Sequence, residues 1–342
     1  MSEMTVVALD AMGGDNAPGA VIEGAVLALG RSENVKILLV GKEDILTAGL
    51  EGKNYDRERL DVVNASEVIE TGDPPVASIR HKKDSSIVVG ERLVKNGEAD
   101  AFVSAGSTGA VLVGGQLIVG RLKGVDRTPL ATVIPTTKGA SLIIDCGANV
   151  DSRAAHLVQY AKMGSIYMRD VLGVENPRVG LLNIGVEEEK GNGLVKETYP
   201  LLKECGDINF IGSVEAREVP YGGADVVVCD AFTGNVLLKL YEGTAGALIG
   251  MIMGALRTNI KTKIGALLIK KDLKNTLKKV DASEYGGAPM LGLKGLVVKT
   301  HGSAKAAEIS NTILQCETFK KQDIINKISR SLSLNEAVKE GE

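Results

Sequence analysis

Tryptophan is absent from this chain, and aromatic residues make up only 3% of it. Its 342 residues, enough for one large α/β domain or two smaller ones, must build their core from Ala, Val, Leu and Ile. Cysteine is scarce: Cys146, Cys205, Cys229 and Cys316 stand far apart, with no Cys-x-x-Cys pair and no neighbouring His. That spacing suggests neither a zinc site nor a disulfide framework and fits a reducing cytoplasm. Charge imbalance is small, at a formal net −3, which argues against a general nucleic-acid footprint. There is no Gly-x-Gly-x-x-Gly, the mark of a dinucleotide fold, and no Gly-x-Ser-x-Gly nucleophile elbow. The most apolar helical stretch, Gly246–Leu256, falls short of the roughly 20 residues a bilayer span needs. The first strand begins within a few residues of the start, leaving no room for a signal peptide. The expectation is a soluble cytoplasmic protein.

Glycine, by contrast, is plentiful at 41 residues, and many follow apolar runs. "VVALDAMGGDNAPG" (6–19) shows the pattern: a buried strand, an acid, then a bare turn. It recurs in "AFVSAGSTGA" (101–110), "SLIIDCGANV" (141–150), "VGLLNIGVEEEKG" (179–191), "VVVCDAFTGN" (226–235) and "LVVKTHGSA" (296–304). Helical stretches follow most of them: Thr108–Val119, Arg153–Leu172, Gly193–Glu204, Asn235–Ile260 and Ser303–Phe319. Continuous apolar strands alternating with helices predict an α/β fold with a mostly parallel sheet covered on both faces. Ligands of such sheets bind beyond the strand C-termini near a topological switch point. Asp10, Ser104, Asp145, Asn183, Asp230 and His301 all stand at those ends and are predicted to share one rim. The competing explanation for each is a helix cap. No linker divides the chain, so residues 1–320 read as a single domain with a basic hairpin at 257–282, followed by a polar tail, 321–342, mobile or helical.

"DAMGGD" (10–15), "SAGSTGA" (104–110), "DCGAN" (145–149), "NIGVEEEKG" (183–191), "FTGN" (232–235), "YGGAPMLG" (285–292) and "HGS" (301–303), taken in order, resemble the bacterial phosphate acyltransferases of the PlsX type. The resemblance covers roughly residues 4 to 320. It implies a Rossmann-like three-layer α/β/α fold, related to phosphate acetyltransferases and to the isocitrate and isopropylmalate dehydrogenases. It also implies a homodimer that moves a long-chain acyl group from acyl-[acyl-carrier-protein] to inorganic phosphate. The acyl phosphate would feed the membrane glycerol-3-phosphate acyltransferase of phospholipid synthesis. Two turns depart from the family pattern: Ala216 and Ala231 stand where glycine is usual. If either glycine serves a positive φ, that turn must shift.

For this reaction phosphate is largely a dianion at neutral pH, its second pKa lying near about 6 if a phosphomonoester is a guide. A strong base is not demanded, and the thioester brings a good leaving group, so direct attack without an acyl-enzyme is expected. Cys146 and Cys229 then read as small buried fillers. What remains is to seat phosphate and to stabilise the tetrahedral oxyanion. Gly106, Ser107, Thr108 and Gly109 offer backbone amides and hydroxyls at a helix start, though a plain capped helix would look the same. Gly13 and Gly14 offer a second set of amides. Asp10 and Asp15 would repel phosphate and are assigned, with Asp145 and Asp230, to turn support. Two such carboxylates could also hold Mg²⁺, but no further ligands complete a metal cage, so structure is the expected role and no metal and no cofactor is expected. Lys190, His301, Asn183 and Asn235 are the catalytic candidates, and Asn149 and Arg217 join the binding set. Lys190 competes with a solvated charge run. His301 would protonate the departing thiolate or bind the carbonyl oxygen.

"IKTKIGALLIKKDLKNTLKKV" (260–280) carries seven Lys and one Asp, a net +6 that leaves −9 for the rest of the chain. Ile260, Ile264, Leu267 and Leu268 share one helical face, and Ile269, Leu273, Leu277 and Val280 another, rotated by more than a quarter-turn. The shift predicts two short helices with an exposed tip near Ala266–Lys271. There Ile264, Leu267, Leu268, Lys270, Lys271 and Lys274 would meet anionic lipid or an acidic carrier protein. The alternative is an amphipathic pair packed at a dimer interface. Two other functions stay open at this point: a phosphate acetyltransferase-like enzyme using acyl-CoA, and a non-catalytic scaffold for carrier protein or membrane.

Overall fold

The computed structural model describes residues 4–279 and 282–339. The chain opens with β1 (Thr5–Asp10), α1 (Gly19–Arg31), β2 (Val35–Gly41), α2 (Glu43–Leu50) and β3 (Leu60–Asn64). It returns through α3 (Pro75–His81) and α4 (Ser86–Lys95) to β4 (Ala101–Ser104), on the other side of β1. α5 (Thr108–Gly114) continues into a π-helical turn, Gly115–Val119. β5 (Ala131–Thr136), β6 (Gly139–Ile144), α6 (Ala154–Asp170), β7 (Arg178–Asn183), α7 (Gly193–Lys203), β8 (Asn209–Glu215) and β9 (Val226–Val228) follow. Next come two long helices, α8 (Ala231–Arg257) and α9 (Ile260–Lys279). β10 (Ala288–Pro289), β11 (Leu296–Lys299), α10 (Ala306–Lys321) and α11 (Ile324–Lys339) complete the fold.

The strands form two sheets, in the orders β10-β11-β4-β1-β2-β3 and β5-β6-β9-β7-β8. Among the described strands only β10–β11 and β5–β6 pair antiparallel. Their apolar composition explains why: β4 and β9 are buried throughout, β1 at all but Val6, and buried parallel strands need helices on both faces. A single sheet would have satisfied the same local pattern. The division into two is set by pairings between distant segments, with Leu130 and Met290 bridging the facing edges. In the first sheet the order reverses between β1 and β4, which puts the switch point beside Asp10 and Ser104.

Two expectations are corrected here. Residues 260–279 form one continuous helix, and the hairpin is made by α8 and α9 with its turn at Thr258–Asn259. No proline interrupts 260–279, so the rotated stripe wraps around the helix without breaking it. Asn259 caps α9, its Oδ1 accepting from the Thr262 amide at 3.0 Å while the Thr262 hydroxyl takes the Asn259 amide at 3.1 Å. The residues 280–281 at the end of the predicted hairpin lie outside the described ones.

α8 begins a turn earlier than expected, because Asp230 caps it ahead of Asn235, accepting from the Thr233 amide at 2.9 Å. By length and composition alone it is long and apolar enough to cross a membrane, and its most apolar stretch is not buried. The apolar stretch Gly246–Leu256 is only the C-terminal part of this helix. The tail takes the helical of its two expected forms: Ile324, Ile328 and Leu332 are buried in the core, and α11 packs on α6. The tail's last three residues lie outside the described ones.

Candidate active site

Three strand ends of the first sheet meet backbone to backbone. Asp10, closing β1, accepts from the amides of Met12 and Gly13, both at 3.1 Å, and from the Ser104 hydroxyl at 2.6 Å. Ser104, closing β4, in turn accepts from the Gly106 amide at 3.0 Å. One buried carboxylate thus ties two glycine turns together. A Cβ on Gly13 would lie 2.7 Å from the Gly106 Cα, so glycine is required there. Gly14 has φ +105° and faces Ala105 and the Gly302 carbonyl, and the Asp15 amide donates to that carbonyl at 2.8 Å. Asp15 itself is exposed beside Gly302.

In the second sheet Asp145 plays a parallel part. Its carboxylate accepts from the amides of Leu130, Gly147, Ala148 and Asn149 and from the Asn149 side chain, all between 2.8 and 3.1 Å. Burial pushes its pKa up against the pull of those donors. Asn149 donates its side-chain amide to Asp145 and to the Thr128 carbonyl. The two alanine departures sit in helical backbone: Ala231 opens α8, and Ala216 opens a 3-10 turn, Ala216–Tyr221. Neither has a positive φ, so the added methyl groups strain nothing.

Between the two sheets lies a cavity of about 680 Å³. Thr108 and Gly109 line it from the first turn of α5, Cys146 and Gly147 from the end of β6, Asn235 from α8, and Lys299, Thr300 and His301 from the end of β11. Ser107 caps α5 by accepting from Ala110, which leaves the Thr108 and Gly109 amides without helical partners. His301 accepts the Ser303 amide at Nδ1, 3.3 Å away, and pairs that same nitrogen with the Ser303 hydroxyl at 2.8 Å. An accepting Nδ1 puts the proton of the neutral ring on Nε2. Lys239, Glu242 and Glu308 complete the charged lining.

Lys299 was not singled out from the sequence. It is buried, and burial pushes its ammonium down to about 8, partly opposed by the charges of Asp10 and Asp15. Its Nζ donates to the Thr300 carbonyl. Only a lysine in the run "LVVKT" announces it, and most such lysines point to water. Cys146 also lines the cavity, with its thiol on the Leu130 carbonyl at 3.1 Å, and burial raises its pKa to about 12. It stays a thiol and is no nucleophile at neutral pH.

The predicted rim is only partly assembled. Thr108, Gly109, Asn235 and His301 line the cavity, while Asp10, Ser104, Asp145 and Asp230 hold the turns and the helix that supply it. Gly13, Gly14, Gly106 and Ser107 back the lining. Lys190, Asn183 and Arg217 do not line it. Lys190 pairs with Glu187 at 2.9 Å on an exposed loop. Asn183 braces that loop through the Lys190 carbonyl and the Ser213 hydroxyl. Arg217 is 82% exposed and paired with Glu215. The ends of β7 and β8 are displaced from the cavity because β9, between β6 and β7, takes the place next to Asp145.

The sequence model of a family described as "Fatty acid synthesis protein" matches residues 5–327. The phosphate acyltransferase of Clostridium perfringens is 50% identical over 327 residues, 96% of each chain. That of Alkaliphilus oremlandii is 49% identical over 96% of this chain and 97% of its own. Among solved structures, a phosphotransacetylase from Streptococcus pyogenes superposes with a TM-score of 0.62 at 17% identity, covering 94% of this chain and 95% of its own, a likeness of fold. The chain belongs to the PlsX family of phosphate acyltransferases, and it is an acyltransferase.

Proposed function

We propose that this enzyme transfers a long-chain acyl group from acyl-[acyl-carrier-protein] to inorganic phosphate by direct attack. The observation that carries this reading is the cavity itself: a buried cation and two unpaired helix amides stand beside neutral donors, and its one thiol is held protonated. Such a site suits an anion, and its thiol is not an activated nucleophile.

Phosphate is held by the Thr108 and Gly109 amides, the Thr108 hydroxyl and the Lys299 ammonium. One phosphate oxygen forms a bond to the acyl carbon, and the carbon–sulfur bond then breaks. Asn235 and the His301 Nε2–H donate to the oxyanion between those events. The proton that HPO₄²⁻ gives up ends on the leaving sulfur, with His301 as carrier, so carrier thiol and acyl phosphate are released without net acid or base. Within one chain Lys190, Asn183 and Arg217 are given no contact with substrate.

The exposed lysines of α9 (Lys270, Lys271 and Lys274 among them) are suited to an acidic carrier protein or to anionic lipid, and Ile264, Leu267 and Leu268 are exposed beside them. A second apolar stripe on α8, with Phe232, Val236, Leu240 and Met251 exposed, suits a homodimer. The enzyme would then work at the cytoplasmic face of the membrane and hand acyl phosphate to the glycerol-3-phosphate acyltransferase there.

The test is purified protein with phosphate and palmitoyl-carrier protein, run beside palmitoyl-CoA. Free thiol and acyl phosphate in equal amounts are expected from the carrier thioester. Turnover with the CoA ester alone would move the enzyme to the acyl-CoA class. Well-folded protein inactive on both would overturn the reading.

A further inference from the structure

Lys299 closes β11, is 7% exposed, and lines the cavity between the two sheets. Its backbone is fixed by pairing with Ser104 on one side and Ala288 on the other, and its Nζ donates to the Thr300 carbonyl. A buried amine that still meets an open cavity has two chemistries. Protonated, it binds an anion; unprotonated, it is a nucleophile. Burial moves the boundary between them down to about 8. At pH 7 roughly a tenth of the molecules then carry the free amine, on the order of 200 times the share in an ordinary lysine.

We infer that Lys299 is a modification site for acyl phosphate, and that its acylation switches the enzyme off. The inference rests on the acyltransfer reading above, which makes acyl phosphate in this cavity. Geometry supports it. If Nζ holds a phosphate oxygen at about 2.9 Å, an acyl carbon bonded to that oxygen lies about 3.5 Å from the nitrogen, a near-attack distance. The amine's lone pair forms a nitrogen–carbon bond, and the carbon–oxygen bond to phosphate breaks. The proton that the nitrogen gives up leaves on the departing phosphate, so the products are an amide and HPO₄²⁻. The Thr108 and Gly109 amides that seat phosphate also stabilise it as the leaving group. Cys146 does not compete, because its thiol stays protonated up to about 12. The amide removes the cation and leaves an acyl group where phosphate must sit. Product that is not passed on therefore closes the site that made it.

Butyryl phosphate, given to the full-length protein at pH 7, 8 and 9 without carrier protein or thioester, tests this. Peptide mass spectrometry follows butyryl-lysine at Lys299 and at Lys239, an exposed lysine that lines the same cavity. Lys299 is expected to label at least about tenfold faster at pH 7, and added inorganic phosphate should slow it by competing for the seat. Its rate should rise about fivefold from pH 7 to 8 and less than about twofold from 8 to 9. Labelling no faster than at Lys239, or equally fast in urea-unfolded protein, would overturn the inference.

Acyltransfer should fall in step with the label and stay lost after gel filtration. Lys299→Arg keeps the charge without the nucleophilic amine, so the same treatment at pH 9 should leave its activity unchanged. Activity that survives full labelling, or an equal loss in the Arg variant, would overturn the switch. Labelling needs no turnover, which separates this inference from the reading beneath it. A labelled Lys299 in protein that transfers nothing from a thioester supports the site and sinks that reading. Full turnover with Lys299 unlabelled rejects the site and leaves the reading intact.

Discussion

Lys299→Met keeps the length and apolar stem of the side chain and removes its charge. If the ammonium holds phosphate, the variant loses one charge-assisted hydrogen bond, about 1.5–3 kcal/mol. At about 1.4 kcal/mol per tenfold, the KM for phosphate should rise between about 10-fold and 150-fold. Stability should move the other way. Wild type keeps a cation in a buried site that pushes it down to about 8 from the ordinary value near 10.5. Relieving that penalty should raise the unfolding free energy on the order of 1–3 kcal/mol at pH 7.

The pH dependence has a definite sign. In wild type, kcat/KM for phosphate falls as pH rises through about 8, because the ammonium then gives up its proton. Lys299→Arg keeps its charge and should hold activity above that point. The stability linkage runs upward: between about 8 and 10 the folded chain releases a proton that the unfolded chain still binds, so wild type gains on the Met variant there. The assays are initial rates with phosphate varied at fixed thioester, and calorimetric melting from pH 7 to 10. An unchanged phosphate KM in Lys299→Met, or the same fall near pH 8 in Lys299→Arg, would refute the role.

Cys146→Ser should retain turnover within about threefold, since a thiol held near 12 contributes no acyl-enzyme; mass spectrometry of quenched wild type should find no acylated cysteine. Gly13→Ala forces a Cβ against the Gly106 backbone, 2.7 Å away, and should cost over tenfold in kcat/KM for phosphate while the fold survives by circular dichroism. Glu91 is buried without a hydrogen-bond partner, and burial, with the charge of Asp10 second, pushes its pKa well up. Its contribution is therefore full below the unfolded carboxylate pKa and fades as pH rises toward the folded value. The melting temperature of wild type should fall relative to Glu91→Gln as pH is raised from 5 to 8, and parallel melting curves would show the carboxyl does not titrate there.

Asp10, Ser104 and Asp145 could be read from the sequence because buried parallel strands are apolar up to the residue where they end. The polar residue that stops each run is then marked by contrast, and the glycines after it mark the turn. Lys299 carries no such contrast. It occupies the last position of β11, where a lysine ordinarily reaches water, and it is enclosed through pairing with Ser104 of β4 on one side and Ala288 of β10 on the other. Lys190 shows the opposite case: flanking glycines suggest a ligand loop, while in this chain it lies away from the cavity lining and pairs with Glu187. Whether β7 ends at the cavity depends on strand order in the second sheet, a property of distant pairings that no local run of residues records.

The hairpin shows how one pattern can carry two instructions. A helix with one buried face has one stripe, so a stripe that rotates by a quarter-turn reads as a break. α8 and α9 instead present apolar residues on more than one side: Ile249 and Met253 toward the space between the two helices, Phe232, Leu240 and Met251 outward on α8, Ile264 and Leu268 outward on α9. Such helices would be unstable in isolation as soluble surfaces, and each exposed stripe demands an occupant. The signal for the true turn was polar: Asn259 and Thr262, spaced to cap α9 reciprocally. Caps mark where a helix starts, whereas apolar stripes mark only what it touches. Packing within one chain leaves this apolar surface on α8 and α9 uncovered, so what covers it comes from outside the chain.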